Sequence, residues 1–169
     1  MLIFVIESIA LCVLFTAAIL SQMKKPLSTI LYSYPPRIVD RVIELGLVDD
    51  KDRKTSSRVK AIKKKWPAII LFGIIIGLFV WLVNGANTFV KGFLTGYGLW
   101  LVVDWYDALI LDIGWFCHSK KVIIPGTENM VEDYHDYWFH IKGSLIGMVL
   151  GLPACLIAGV FCHITGALL

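Results

Sequence analysis

The run Pro67–Gly85, PAIILFGIIIGLFVWLVNG, carries no charged side chain from end to end. A helix of about 20 such residues rises roughly 30 Å, the thickness of a bilayer's hydrocarbon, so this stretch reads as a membrane span. Asn84-Gly85 closes it with a turn, and the span is expected over about 67–86. The composition around it agrees: 57% of the 169 residues are hydrophobic, 17% are charged, and mean hydropathy is +0.74. A soluble domain of this size is far less apolar.

Working outward, Leu2 to about Met23 forms another apolar run with no basic residue before it. That pattern differs from a cleavable secretory signal and reads as a permanent helix. Two further spans are expected over about 89–117 and 141–168. The expected fold is therefore all-α: a polytopic integral membrane protein of four transmembrane helices in one domain. A cytoplasmic amphipathic segment lies between the first helix and the second, in the basic loop 24–66.

Charge gives the orientation. Twelve of the sixteen Lys and Arg lie between Lys24 and Lys65, and only Lys91 falls on the opposite side of the four expected spans. The positive-inside rule then puts both termini outside and the basic loops in the cytoplasm, in the plasma or inner membrane. Five acidic residues interrupt the basic block, which argues against nucleic acid and for anionic lipid headgroups as its partner. Within the block, Ile38, Val39, Val42 and Ile43 follow Pro35-Pro36 at helical spacing, opposite Arg37, Arg41 and Glu44. A short helix lying on the membrane surface is expected there, with Lys51 to Lys65 running along the inner face.

The third span holds the anomaly. Asp104, Asp107 and Asp112 sit in its second half among Trp, Tyr, Leu and Ile, and His118, Lys120 and Lys121 mark its inner end. At ~1.5 Å per residue, Asp112 lies ~9 Å, Asp107 ~16 Å and Asp104 ~21 Å inside that boundary. A charged Asp at the centre of a spanning helix costs about 2.5 to 3.5 kcal/mol, so partners, protonation or water must offset three of them. With α-helical spacing they share a face with Trp115 and His118.

An opposing face is available on the fourth span, where Asp136, His140, Ser144, Gly147 and Gly151 recur every three or four residues, with Gly143 beside them. Small residues at this spacing allow close helix approach. Thr127 is expected to cap a helix that starts near Glu128 and runs on into this span.

If the two faces meet, they bring together the candidate catalytic residues Asp107, Asp112, Asp136 and His140. The candidate ligand set for a divalent metal (Mg, Mn, Fe or Zn) is Asp107, Asp112, Glu128, Glu132, Asp136 and His140, with His118 and His135 as outer donors. Glu132-x-x-His135 has the spacing used in bundle di-iron sites. Four histidines are too few for a His-box oxygenase, and the paired-Asp phosphotransferase signature is absent.

Four cysteines without a CxxC pair suggest neither a disulfide framework nor a metal knuckle. Glu7, about two turns from the outer end, has a stem long enough to snorkel. No P-loop, dinucleotide fingerprint or serine elbow occurs.

Three functions remain open: a metal-dependent enzyme acting on a lipid-borne substrate at the inner face, an oligomeric proton or cation transporter or channel subunit, and an accessory protein whose acids only join helices.

Overall fold

The computed structural model describes residues 2–55 and 66–168, and within them the chain is helical without a strand. Helix α1 is Leu2–Gln22, and α2 (Leu27–Ile30), α3 (Pro36–Glu44) and α4 (Asp50–Thr55) are short. Long helices follow as α5 (Trp66–Asn84) and α6 (Phe89–Tyr106); α6 runs without a break into a π-helical stretch, Asp107–Trp115. A short α7 (Val131–Tyr134) precedes α8 (Tyr137–Leu168).

Helix α8 is the hub. Gly73 and Gly77 of α5 lie against Ile157 and Phe161 of α8, in the same order along both chains, so the two helices run in the same direction. On its other side α8 meets α6 in reverse order: Gly92 at Cys162, Trp100 at Gly151, Asp104 at Gly147. Backbones come this close because glycine has no side chain there; a Cβ at Gly92 would sit 2.7 Å from the Cys162 Sγ. Helix α1 follows the direction of α6, with Phe4 beside Gly98 and the Thr16 hydroxyl 2.9 Å from that of Tyr106.

By length and composition, α1 and the stretch Val131–Leu168 are each able to cross a membrane. Ile69–Asn84 and Phe89–His118 qualify only as a pair, bent by 105° at the intervening turn. The count on these grounds is two crossings, or three if the bent pair is one span, where the sequence suggested four. Gly85 makes the bend in a left-handed conformation (φ +59°) that glycine adopts without penalty. The outward faces are greasy: Leu2, Leu14, Leu82 and Val149 are each more than 60% exposed.

A second core caps the end of the bundle where α8 begins. Ile38, Val39 and Val42 of α3 are buried with Ile30, Leu31, Tyr34, Phe116, Val122, Ile124 and Tyr134. The amphipathic helix is present, but its apolar face rests on the protein's own 116–134 segment rather than on a lipid surface. An apolar stripe demands a partner without saying which. Among the basic residues of this region, Arg37 pairs with Asp133 at 3.2 Å, Arg41 with Glu44 at 3.2 Å, Lys51 with Asp49 at 2.5 Å, and Arg53 with Asp40. The basic run expected along the inner face falls largely outside the described residues.

Candidate functional site

The seam between α6 with its π extension and α8 is polar at one end. His140, in the first turn of α8, is buried, and its Nδ1 lies 2.9 Å from Oδ2 of Asp112. A carboxylate can only accept, so Nδ1 is the nitrogen that donates, and Nε2 keeps its lone pair in the neutral ring. Nε2 is buried without a hydrogen-bond partner. Phe116 and Phe139 stand edge-on to the imidazole, with centroids 5.6 and 5.2 Å away. The Asp112 side chain retains 31% exposure, so the dyad has one partly exposed end and one buried end.

The π geometry explains how the acids line up. In an i→i+5 ladder, residues five apart stack on one face, so Asp107 and Asp112 share the side turned toward α8. Asp107 lies within electrostatic range of Asp104, Asp112 and His140. One tier deeper, the Ser144 hydroxyl donates to Oδ2 of Asp104 at 2.5 Å. Gly147 faces Asp104, and the Trp100 indole N–H donates to the Gly147 carbonyl at 3.1 Å. Three acids thus descend from the capped end toward the middle of the bundle, two of them tied to α8 by named hydrogen bonds.

The other candidates do not converge on this seam. Glu128 is exposed, and both its oxygens accept from the Gly126 N–H, at 3.0 and 2.9 Å. Hydrogen bonds from its own backbone N–H and from that of Gly126 hold its carboxyl below the ordinary carboxylate range, as a loop-closing anion. Thr127 does not cap a long helix. It is buried, donates to the Ile124 carbonyl at 2.7 Å and bonds the Tyr134 hydroxyl.

The helix expected from Glu128 onward is instead a single turn, α7, ending at Tyr134, and α8 starts afresh at Tyr137. Asp136 serves that start, its Oδ1 accepting from the Phe139 N–H at 3.0 Å. Glu132 is exposed, and His135 lies beyond the end of α7, stacked on His118 at 4.9 Å. The Glu132-x-x-His135 pair therefore does not project from one helical turn. Among the described residues no three of His, Cys, Asp and Glu are grouped to hold a metal ion, so the six-residue ligand set is not assembled.

One polar contact escaped the sequence reading. Glu7 does not snorkel: it is buried, and both its oxygens accept from Nδ2 of Asn84, at 3.1 and 2.9 Å. The partners are 77 positions apart, beyond any local spacing rule. Tyr106 is likewise tied across helices, its hydroxyl 2.9 Å from that of Thr16.

No protein-family model, curated protein or solved structure matches this chain.

Proposed function

We propose that the chain is a proton-transferring integral membrane protein whose Asp112–His140 dyad takes up and releases protons at the cytoplasmic face. The reading includes four spans with both termini outside, supported by the alternating direction of α1, α5, α6 and α8 and by their exposed apolar faces. Its single carrying observation is the orientation of His140: Nδ1 tied to Asp112 and Nε2 bare in a dry setting. An imidazole fixed in this way accepts a proton at Nε2 while the carboxylate stabilises the resulting cation.

The partly exposed Asp112 connects the pair to water, and Asp107 and Asp104 continue the polar line inward, as intramembrane acids do in proton paths. A proton reaches a buried Nε2 through small fluctuations; a lipid headgroup does not. Transport is for this reason favoured over catalysis on a bulky substrate. Four helices are thin for a pore, so the proposal includes association of several copies, with anionic headgroups at the exposed Lys24 and Lys25.

A second reading, acid–base catalysis on a lipid-borne substrate, has one feature in its favour. A cavity of about 170 Å³ in the cap is lined by Tyr32, Tyr34, Asp40, Arg53 and Phe139, and Phe139 touches His140.

The dyad is tested by nitrogen-15 NMR of histidine-labelled protein in lipid vesicles. The expected result is an imidazole with its proton on Nδ1 and a bare Nε2, and Asp112→Asn is expected to disturb that tautomer. A neutral His140 ring with its proton on Nε2 rather than Nδ1 in the unaltered protein overturns the proposal. Turnover of added phospholipid that disappears in His140→Ala would move the assignment to the second reading.

A further inference from the structure

We propose that Glu7 and Asn84 form a second proton-accepting site, at the end of the bundle opposite the dyad. Asn84 is the last residue of α5, which runs parallel to α8, so it lies far from the end at which His140 enters. Glu7 and Ser8 are the only buried residues of α1 among those described, although the rest of the helix is strongly apolar. Ser8 satisfies itself on the Phe4 carbonyl at 2.8 Å. Glu7 has no such local outlet, and among the described residues its carboxylate is hydrogen-bonded by Asn84 alone.

The pair is short of donors. Three oxygens meet here, Oε1 and Oε2 of Glu7 and Oδ1 of Asn84, and one NH₂ group serves two of them. Oδ1 of Asn84 is buried with no partner, a loss that costs about 1–3 kcal/mol when left uncompensated.

No cation supplies the deficit: among the described residues no Lys, Arg or His lies within 4 Å of Glu7. Helix α5 carries no titratable side chain from Pro67 to Asn84. On α6 the titratable groups are Lys91, Tyr97, Asp104 and Tyr106. Lys91 is exposed, Tyr97 donates to the Met148 carbonyl, Asp104 is held by Ser144, and Tyr106 is bonded to Thr16. On α1 itself the only other titratable side chain is Cys12.

One proton removes the deficit. Taken from water, it forms an O–H on one Glu7 oxygen and cancels the negative charge. That O–H donates to Oδ1 of Asn84 while Nδ2 continues to donate to the other oxygen. The result is a closed ring of two hydrogen bonds, reached by a turn of the amide about its terminal torsion. Release reverses the step and returns the proton to water. The site draws only on α1 and α5, so it stands whether or not the Asp112–His140 dyad moves protons.

The test is infrared difference spectroscopy of the full chain in phosphatidylcholine–phosphatidylglycerol vesicles during a pH titration. Acidification is expected to raise a carboxylic-acid carbonyl band that is absent in Glu7→Gln and unaffected by Asp112→Asn. In Asn84→Leu the band is expected at higher frequency, because its hydrogen bond to the amide is gone. Should Asn84→Leu fail to fold, carbon-13 labelling of asparagine gives the second readout: an amide carbonyl that shifts during the same titration in the unaltered protein and not in Glu7→Gln. Identical difference spectra for the unaltered protein and Glu7→Gln, or a Glu7 band indifferent to Asn84, would overturn the assignment.

Discussion

A single hydrogen atom in place of a methyl group positions Asp104. Gly147 faces that carboxylate, and a Cβ there would run into Oδ1 and stand 3.0 Å from Cγ. In Gly147→Ala the acid must leave Ser144 or push the helices apart. Overpacking of this kind costs about 1–3 kcal/mol, so a lower melting temperature in detergent is expected, and an unchanged one would show that the seam is looser than described. At this scale the sequence was partly legible. The three- and four-residue spacing of His140, Ser144 and Gly147 pointed to one face of α8, and the structure finds Asp112 and Asp104 there. Glu128 and Asp136 were misplaced for a common reason: acidic residues near helix starts and turns bond to local backbone N–H groups before they reach anything distant. Glu7 was unreadable because its partner lies on another helix.

At the scale of the element, the π-helical stretch draws together acids that α spacing spreads over an arc of about 140°. Residues five apart are offset by about 140° in an α-helix but stack in a π-helix, so Asp107 and Asp112 face α8 together. Deleting Ile110, which is 55% exposed, is expected to restore the α ladder, in which Asp107 and Asp112 stand four apart, about 40° from each other, and still share a face. Asp112 then stays with His140, and the NMR signature of the dyad persists together with the helical signal in far-ultraviolet circular dichroism. A dyad lost on deletion, as the ~100° turn caused by removing a residue from an unbroken α-helix would produce, would contradict this role for the π geometry. No composition signal marks such a stretch, and the sequence was read with α spacing throughout.

The cap teaches the converse. The stripe on α3 was plain in the sequence, but its cover, Val122 and Tyr134, lies some 80 positions on and was not. Burial, with the Tyr134 hydroxyl beside it, pushes Tyr34 up to about 12. The raised value means that the folded cap holds this proton more tightly than the unfolded chain, whose tyrosine titrates near 10. Its contribution is complete below pH ~10 and is lost as pH climbs from there toward 12. Tyr34→Phe, which gives up a 3.2 Å hydrogen bond to the Val122 carbonyl, is expected to flatten that alkaline limb in fluorescence-monitored unfolding. An identical limb in both proteins would remove Tyr34 from the account.

For the whole molecule, hydropathy and the distribution of lysine and arginine gave the helical architecture and an expected orientation. The number of crossings is less sharply written. The acids of the third helix dilute its apolar character, and Ile69–Asn84 is short, so the pair meets the criteria for a span only jointly and with a 105° bend. That dilution is also the reason to look for function here, since acids in a bilayer persist only where something offsets their cost. The central claim is that these acids and His140 carry protons, and it is tested most directly by flux. The purified chain is reconstituted in vesicles containing a pH-sensitive dye, and a potassium gradient with valinomycin sets the membrane potential. Potential-driven proton movement is expected in the unaltered protein and is expected to fall about tenfold or more in Asp112→Asn and His140→Ala; the same leak in all three, no greater than that of protein-free vesicles, would contradict it.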